Sequence, residues 1–135
     1  YTDPIQRFTQ ISDWALKVLR LYHPGNHTVG IGPSIAIENY SYGSKGRALF
    51  QIAENCGILK YRLLEEKWSY NVIVPSVVKK FATGKGNADK EMMYEQFSKD
   101  TKTDLKKLLD TAKAGNPVSD IVDSWYIAKA SYGSI

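Results

Sequence analysis

The sequence has little that would hold a fold together by covalent or metal chemistry. Among 135 residues there is a single cysteine, Cys56, which excludes an intrachain disulfide framework and a cysteine-built zinc site. The two histidines, His23 and His27, adjoin a turn and have no metal-ligand spacing with Asp120 or Asp123. No window reaches the roughly 18 uncharged apolar residues needed to span a bilayer, and no basic segment followed by an apolar run marks a secretory leader. Internal repeats and low-complexity tracts are absent. Apolar residues make up 43% and charged residues 24%, a globular balance rather than a disordered one. A chain of this size fits one domain and buries about two-thirds of its extended surface.

Charge of one sign is in modest excess. Eighteen Lys and Arg against fourteen Asp and Glu give +4, a balance that suits a polyanion but is common among soluble proteins. Its distribution is more informative. Lys79, Lys80, Lys85 and Lys90 fall in one stretch broken by Gly84 and Gly86. Lys99, Lys102, Lys106 and Lys107 are interleaved with Asp100 and Asp104, as on a solvated surface.

Periodicity divides the chain into alternating helices and short strands. Ile5, Phe8, Ile11, Ala15, Val18, Leu19 and Tyr22 make one apolar stripe, with Thr2 or Asp3 as cap and Pro4 in the first turn. Ile35-Ala36-Ile37-Glu38 reads as a strand after Pro33. Ser44 is a candidate cap for a long helix with a broad apolar face running from Ala48 through Leu64, wide enough for a sheet and a second subunit. Tyr70 to Val74 reads as a second strand. Ser76 is expected to cap a short helix through Phe81, and a further helix carries Met92, Met93 and Phe97. Thr103 or Asp104 opens an amphipathic helix bearing Leu105, Leu108, Leu109 and Ala112. Ser119 is expected to cap the last helix. Two strands and about six helices suggest an α/β layer fold, with fewer strands than a sheet core usually holds.

The residues with chemical potential are acidic. Glu38 ends a short apolar strand, and open α/β sheets place their sites outside the carboxyl ends of strands. A rim glutamate in plain solvent is the bland alternative. Asp120 and Asp123 lie three apart and share one helix face. Capping explains Asp120 well. It explains Asp123 less well, since that residue sits between Val122 and the pair Trp125 and Tyr126. Adjacent carboxylates repel unless a cation lies between them, and an all-oxygen set suits Mg²⁺ or Mn²⁺. Metal-assisted phosphoryl transfer uses such a set, with positive side chains for the phosphate.

Ala36-Ile37-Glu38-Asn39, the Leu49-rich helix, the segment Val78 to Lys90 with its lysine-glycine-glycine-lysine loop before a helix, and Asn116 to Ser124 with its Asp-x-x-Asp occur in a particular order and spacing. In these pieces the chain resembles the RuvC-type Holliday junction resolvases of the ribonuclease H-like superfamily, as a divergent phage or mobile-element-like member. The resemblance implies a mixed sheet flanked by helices and a Mg²⁺-dependent endonuclease that resolves four-way or other branched DNA by paired phosphodiester hydrolysis. It implies a site of two Mg²⁺ ions (Mn²⁺ as substitute), with Glu38, Asp120 and Asp123 as catalytic metal ligands. Lys90 is then catalytic as well, and Lys79, Lys80, Lys85 and Lys90 contact DNA. Tyr40 and Tyr42 are candidates to stack near the junction centre. The partners implied are branched DNA and a second copy of the chain, docked through the helix of residues 44–65. The setting implied is the cytoplasm of a bacterial cell or phage-infected host, with no membrane.

The resemblance also implies a first carboxylate on an initial strand, in a three-stranded unit ahead of the first helix. Gly30-Ile31-Gly32-Pro33-Ser34 is superficially like that strand but has Gly32 where the aspartate belongs, and it follows the helix. The expectation is therefore a single ribonuclease H-like nuclease domain over residues 1–135 whose N-terminal three-stranded part is missing. Two other readings remain at this level: a non-catalytic module for branched DNA, or a related nuclease acting on RNA–DNA hybrid. A third makes the apolar helix a purely structural oligomerisation device.

Overall fold

The computed structural model describes residues 3–22, 32–40 and 46–133. The elements run α1 (Pro4–Tyr22), β1 (Ile35–Glu38), α2 (Arg47–Glu65), β2 (Tyr70–Ile73), α3 (Pro75–Thr83), α4 (Lys90–Thr101), α5 (Leu105–Leu108) and α6 (Val118–Gly133). The chain forms two compact units, one of residues 1–35 and 40–71, the other of residues 36–39 and 72–135.

In the first unit α1 packs on α2. Phe8 and Leu16 of α1 are buried, as are Leu63 of α2 and Trp68 after it. The buried Ser12 hydroxyl donates to the Thr9 carbonyl at 2.8 Å and accepts from Arg62 at 2.8 Å. Arg62 also pairs with Asp13, and the buried Ser12 hydroxyl is satisfied from both helices. Gly32 lies so close to Trp68 that a Cβ there would fall 2.8 Å from the indole Cδ1. A side chain at this position would require the Trp68 indole to shift. Helix α2 buries only Leu63 and leaves Phe50, Ile52, Tyr61 and Leu64 exposed.

β1 and β2 form a small parallel sheet flanked by helices, an α/β arrangement, and residues 36–38 and 72–73 of it belong to the second unit. The Asn39 N–H extends the ladder by donating to the Ile73 carbonyl at 2.8 Å. Ile73 packs against a core drawn from α3, α4, α5 and α6, in which Val78, Met93, Phe97, Leu105, Val118, Val122 and Tyr126 are buried. On α6 the buried residues Val118, Val122, Tyr126 and Ala130 recur every fourth position, so one stripe of the helix faces the core.

Several helix ends differ from the sequence reading. Helix α2 starts at Arg47 with Gly46 as its N-cap at φ 78°, a left-handed conformation suited to glycine; Ser44 lies outside the described residues. Val74, not Ser76, is the N-cap of α3, because Pro75 occupies the first turn, where its missing N–H costs nothing. Ser119 lies inside the first turn of α6 rather than before it, and its hydroxyl donates to Asn116 Oδ1 at 2.7 Å. Helix α5 stops at Leu108, leaving Ala112 outside. There Asp110 turns left-handed at φ 49° and the Thr111 N–H closes on the Lys106 carbonyl at 2.9 Å.

Asp89 is the N-cap of α4, its Oδ1 accepting the Met92 N–H at 2.9 Å. Asp89→Ala is expected to cost about 1 kcal/mol of stability. The check is a lower urea midpoint at an unchanged denaturant slope, since a lost cap leaves the surface exposed on unfolding the same.

Candidate functional site

The site is assembled within the second unit from the end of β1, the body of α3, the start of α4 and the first turns of α6. Glu38 is the last residue of β1 and the most exposed of its strand. The β1–β2 ladder holds it at the rim where a strand ends beside the next connection. Asp123 is half-buried, next to the buried Val122, because it borders the core stripe of α6. Asp120, one turn earlier, is exposed in the acidic first turn. Lys79 is half-buried on α3, and Lys90 opens α4 in solvent.

The two central carboxyls both hold their protons more tightly than usual. Desolvation raises Glu38 first and the Asp123 carboxylate raises it further, while Lys79 pulls it down. By surface area Glu38 is open to water, yet enough protein surrounds one side of its carboxyl for that desolvation to act. Asp123 is raised by burial and then by Asp120, and lowered by Lys79 and Lys90. Lys79 therefore feels both acids, and Asp123 is the hub through which all four neighbours meet. Burial first, and then like charge incompletely offset by the ammonium groups, is what these shifts record.

The acids meet in pairs, Glu38 with Asp123 and Asp123 with Asp120. Among the described residues no three His, Cys, Asp or Glu side chains converge as a metal-holding group. The expected three-carboxylate set is thus reduced to linked pairs. The donor chemistry still fits a hard divalent cation, because Mg²⁺ is commonly held by one or two carboxylates and keeps several waters.

The remaining sequence-derived candidates fall elsewhere or on other faces. Lys80 and Lys85 are exposed; Lys80 follows Lys79 on the same helix and so points about 100° away from it. Tyr40 is half-buried with the Lys60 ammonium 5.4 Å from its ring centre, within the first unit. Tyr42 lies outside the described residues.

Three polar residues were not singled out from sequence. Tyr94 donates to Asp104 at 2.5 Å and Tyr126 donates to Asp100 at 2.6 Å. These bonds turn two of the acids in the Lys99–Lys107 stretch toward tyrosine hydroxyls. Asp104, already the cap of α5, is held below the usual carboxylate range by Tyr94 and by the Lys107 N–H. Thr83 ends α3 and bonds to the loop beyond it. A threonine beside a glycine at a helix end was the available signal.

No protein-family model matches the chain, and no curated protein matches it. Among solved structures it is similar to a Thermus thermophilus RuvC structure, with a TM-score of 0.63 at 18% identity, covering 98% of this chain and 70% of that one. At that identity the likeness is one of fold, and the chain shares the fold of RuvC.

Proposed function

We propose that the protein is a Mg²⁺-dependent endonuclease acting on four-way or otherwise branched DNA. The observation that supports this most is the electrostatic coupling of Glu38 to Asp123 and Lys79, and of Asp123 to Lys79 and Lys90, within a RuvC-like fold. Glu38, Asp123 and Asp120 are the residues that would hold Mg²⁺ or Mn²⁺, two ions per site. Bound there, the metal supplies Lewis-acid polarisation of phosphoryl oxygen and a more acidic water. Lys79 and Lys90 draw the scissile phosphate toward the carboxylates and offset its charge. Hydrolysis adds a water hydroxyl to phosphorus and breaks the bond to O3′, leaving 5′-phosphate and 3′-hydroxyl ends. The exposed Lys80 and Lys85 bind flanking phosphates, and Tyr40 and Tyr42 stack near the branch.

Paired cuts require two sites. The exposed Phe50, Ile52, Tyr61 and Leu64 of α2 support a homodimer built on residues 44–65. Among the described residues no helix is long and apolar enough to cross a membrane, and the setting we propose is the cytoplasm of a bacterial cell or phage-infected host.

A second reading is favoured by the lack of a three-donor group among the described residues. In it the protein binds branched DNA by shape and phosphate contact without cutting. A cleavage panel of four-way junction, fork, duplex and RNA–DNA hybrid, with and without Mg²⁺ on the full natural chain, separates the two. Glu38→Gln is expected to lower junction cleavage by roughly 10³-fold, about 4 kcal/mol of barrier, while junction binding persists. Wild-type binding without cleavage establishes the second reading, and preferential cutting of hybrid redirects the assignment to a hybrid nuclease. Undiminished cleavage by Glu38→Gln would falsify the site.

A further inference from the structure

The connection from α3 to α4 carries Lys85 and leads into Lys90, and one hydroxyl bonds to it at the end of α3. Thr83 Oγ1 lies 3.0 Å from the Lys79 carbonyl oxygen and 3.2 Å from that of Lys85, and it accepts the Lys85 N–H at 3.1 Å. A hydroxyl has one proton, so it donates to one of the two carbonyls at a time while its lone pair holds the amide. A bond back to the carbonyl four residues earlier is common for threonine in a helix. Accepting an amide beyond the helix end is a separate act, and it clamps the turn to α3.

The same connection is fixed elsewhere along its length. Gly84 takes φ 81° and donates to the Lys80 carbonyl at 2.8 Å, which ends the helix. Gly86 passes close to α3, where a Cβ would stand 3.4 Å from the Ser76 carbonyl oxygen. Ala88 is buried and Asp89 caps α4. Against this ordered backbone Lys85 is exposed.

We propose that Thr83 is a positioning residue that acts through Lys85, holding the turn so that the Lys85 ammonium is presented as an anchor for a DNA backbone phosphate. The inference rests on the DNA-binding reading above and adds a specific device to it. A phosphate anchor on a pre-ordered turn loses less freedom on binding than one on a mobile loop. Lys85 neutralises a phosphate, and Thr83 sets how well it does so.

The test measures four-way-junction affinity against KCl concentration for the full natural chain and four variants. Lys85→Gln removes one phosphate contact and is expected to reduce the slope of log affinity against log salt by about 0.9. Thr83→Val, nearly isosteric and without the hydroxyl, is expected to weaken binding several-fold and to move the slope toward that of Lys85→Gln. Thr83→Ser keeps the hydroxyl and restores wild-type values. The double variant Thr83→Val/Lys85→Gln binds no more weakly than Lys85→Gln alone, because one residue acts through the other. Amide exchange at Lys85 accelerates in Thr83→Val and not in Thr83→Ser, a readout that needs no DNA. Additive losses in the double variant, a wild-type slope in Thr83→Val, or unchanged exchange at Lys85 overturns the inference. Loss of the DNA-binding reading shows separately, as a wild-type protein without salt-sensitive junction affinity.

Discussion

Tyr126→Ala is expected to lower the unfolding free energy by about 3–5 kcal/mol, the range for removing a buried aromatic side chain. Whole-protein stabilities are about 5–15 kcal/mol, so the loss is a large fraction of the total. The ring is 1% exposed, sits in the core stripe of α6 with Val118 and Val122, and meets Trp125 edge-to-face at 4.9 Å. Its hydroxyl donates to Asp100 Oδ2 at 2.6 Å, tying α6 to α4. Tyr126→Phe keeps the ring and loses only that bond to a charged acceptor, a cost of about 1.5–3 kcal/mol. Urea midpoints of the two variants measure the split. A Phe variant as unstable as the Ala variant would show that the hydrogen bond, and not the ring, holds the two helices. The phenol also has a pH signature, because burial and the Asp100 bond raise its pKa. A raised value means that its contribution is complete below the unfolded value of about 10 and is lost as pH rises through the folded one. Wild-type stability should therefore fall in strong alkali more steeply than that of Tyr126→Phe.

The backbone was more legible than the polar contacts. β1 matches its expected span, Ile35 to Glu38, because Pro33 and the Asn39-Tyr40 turn bracket a short apolar run. α1 begins at Pro4 as the first-turn proline predicts. Amphipathicity misled at α5: Leu108 and Leu109 continue the apolar spacing, yet Leu108 is 70% exposed and the helix ends there, with Asp110 left-handed two residues on. Local chemistry overrode periodicity there. The Tyr94–Asp104 and Tyr126–Asp100 bonds join residues 10 and 26 apart, and no spacing rule relates such positions. Their effect on the lysine-rich stretch was hidden for the same reason, as its acids read as solvent-facing partners of the lysines.

The site was legible to a different depth. Asp123 could be placed at the edge of a buried stripe because Val122 and Tyr126 define that stripe four residues apart. The neighbourhood of Lys79 with Glu38 came from the resemblance, since helix and strand periods say nothing about which lysine crosses to which acid. The convergence of three carboxylates was expected on chemical grounds. Among the described residues no three acids converge as one group, and the electrostatic links run from Asp123 to Glu38 and from Asp120 to Asp123.

Asp123→Asn separates function from stability, and its two effects should have opposite signs. Cleavage is expected to fall by roughly 10³-fold or more, since a carboxylate that holds a divalent cation contributes several kcal/mol to stabilising the transition state. Thermal stability at neutral pH is expected to rise. Burial and Asp120 raise the Asp123 pKa against the opposing pull of Lys79 and Lys90, so the folded protein binds that proton more tightly than the unfolded chain. The stability linked to that proton is complete below the unfolded carboxyl value, about 4, and is lost as pH rises through the folded one. At neutral pH the wild type therefore carries an unfavourable charge that the amide does not, and the Tm values of the two proteins should converge in acid. Added Mg²⁺ supplies the third readout. At ten times its Kd a ligand that binds only the folded state stabilises by about 1.4 kcal/mol, so wild type should gain Tm with Mg²⁺ and Asp123→Asn should gain much less. A variant that is stabilised, still responds to Mg²⁺ and still cuts would reduce Asp123 to a strained surface acid. Stabilisation together with lost cutting and a lost Mg²⁺ response would mean that the strain at Asp123 is retained because the chemistry needs the charge.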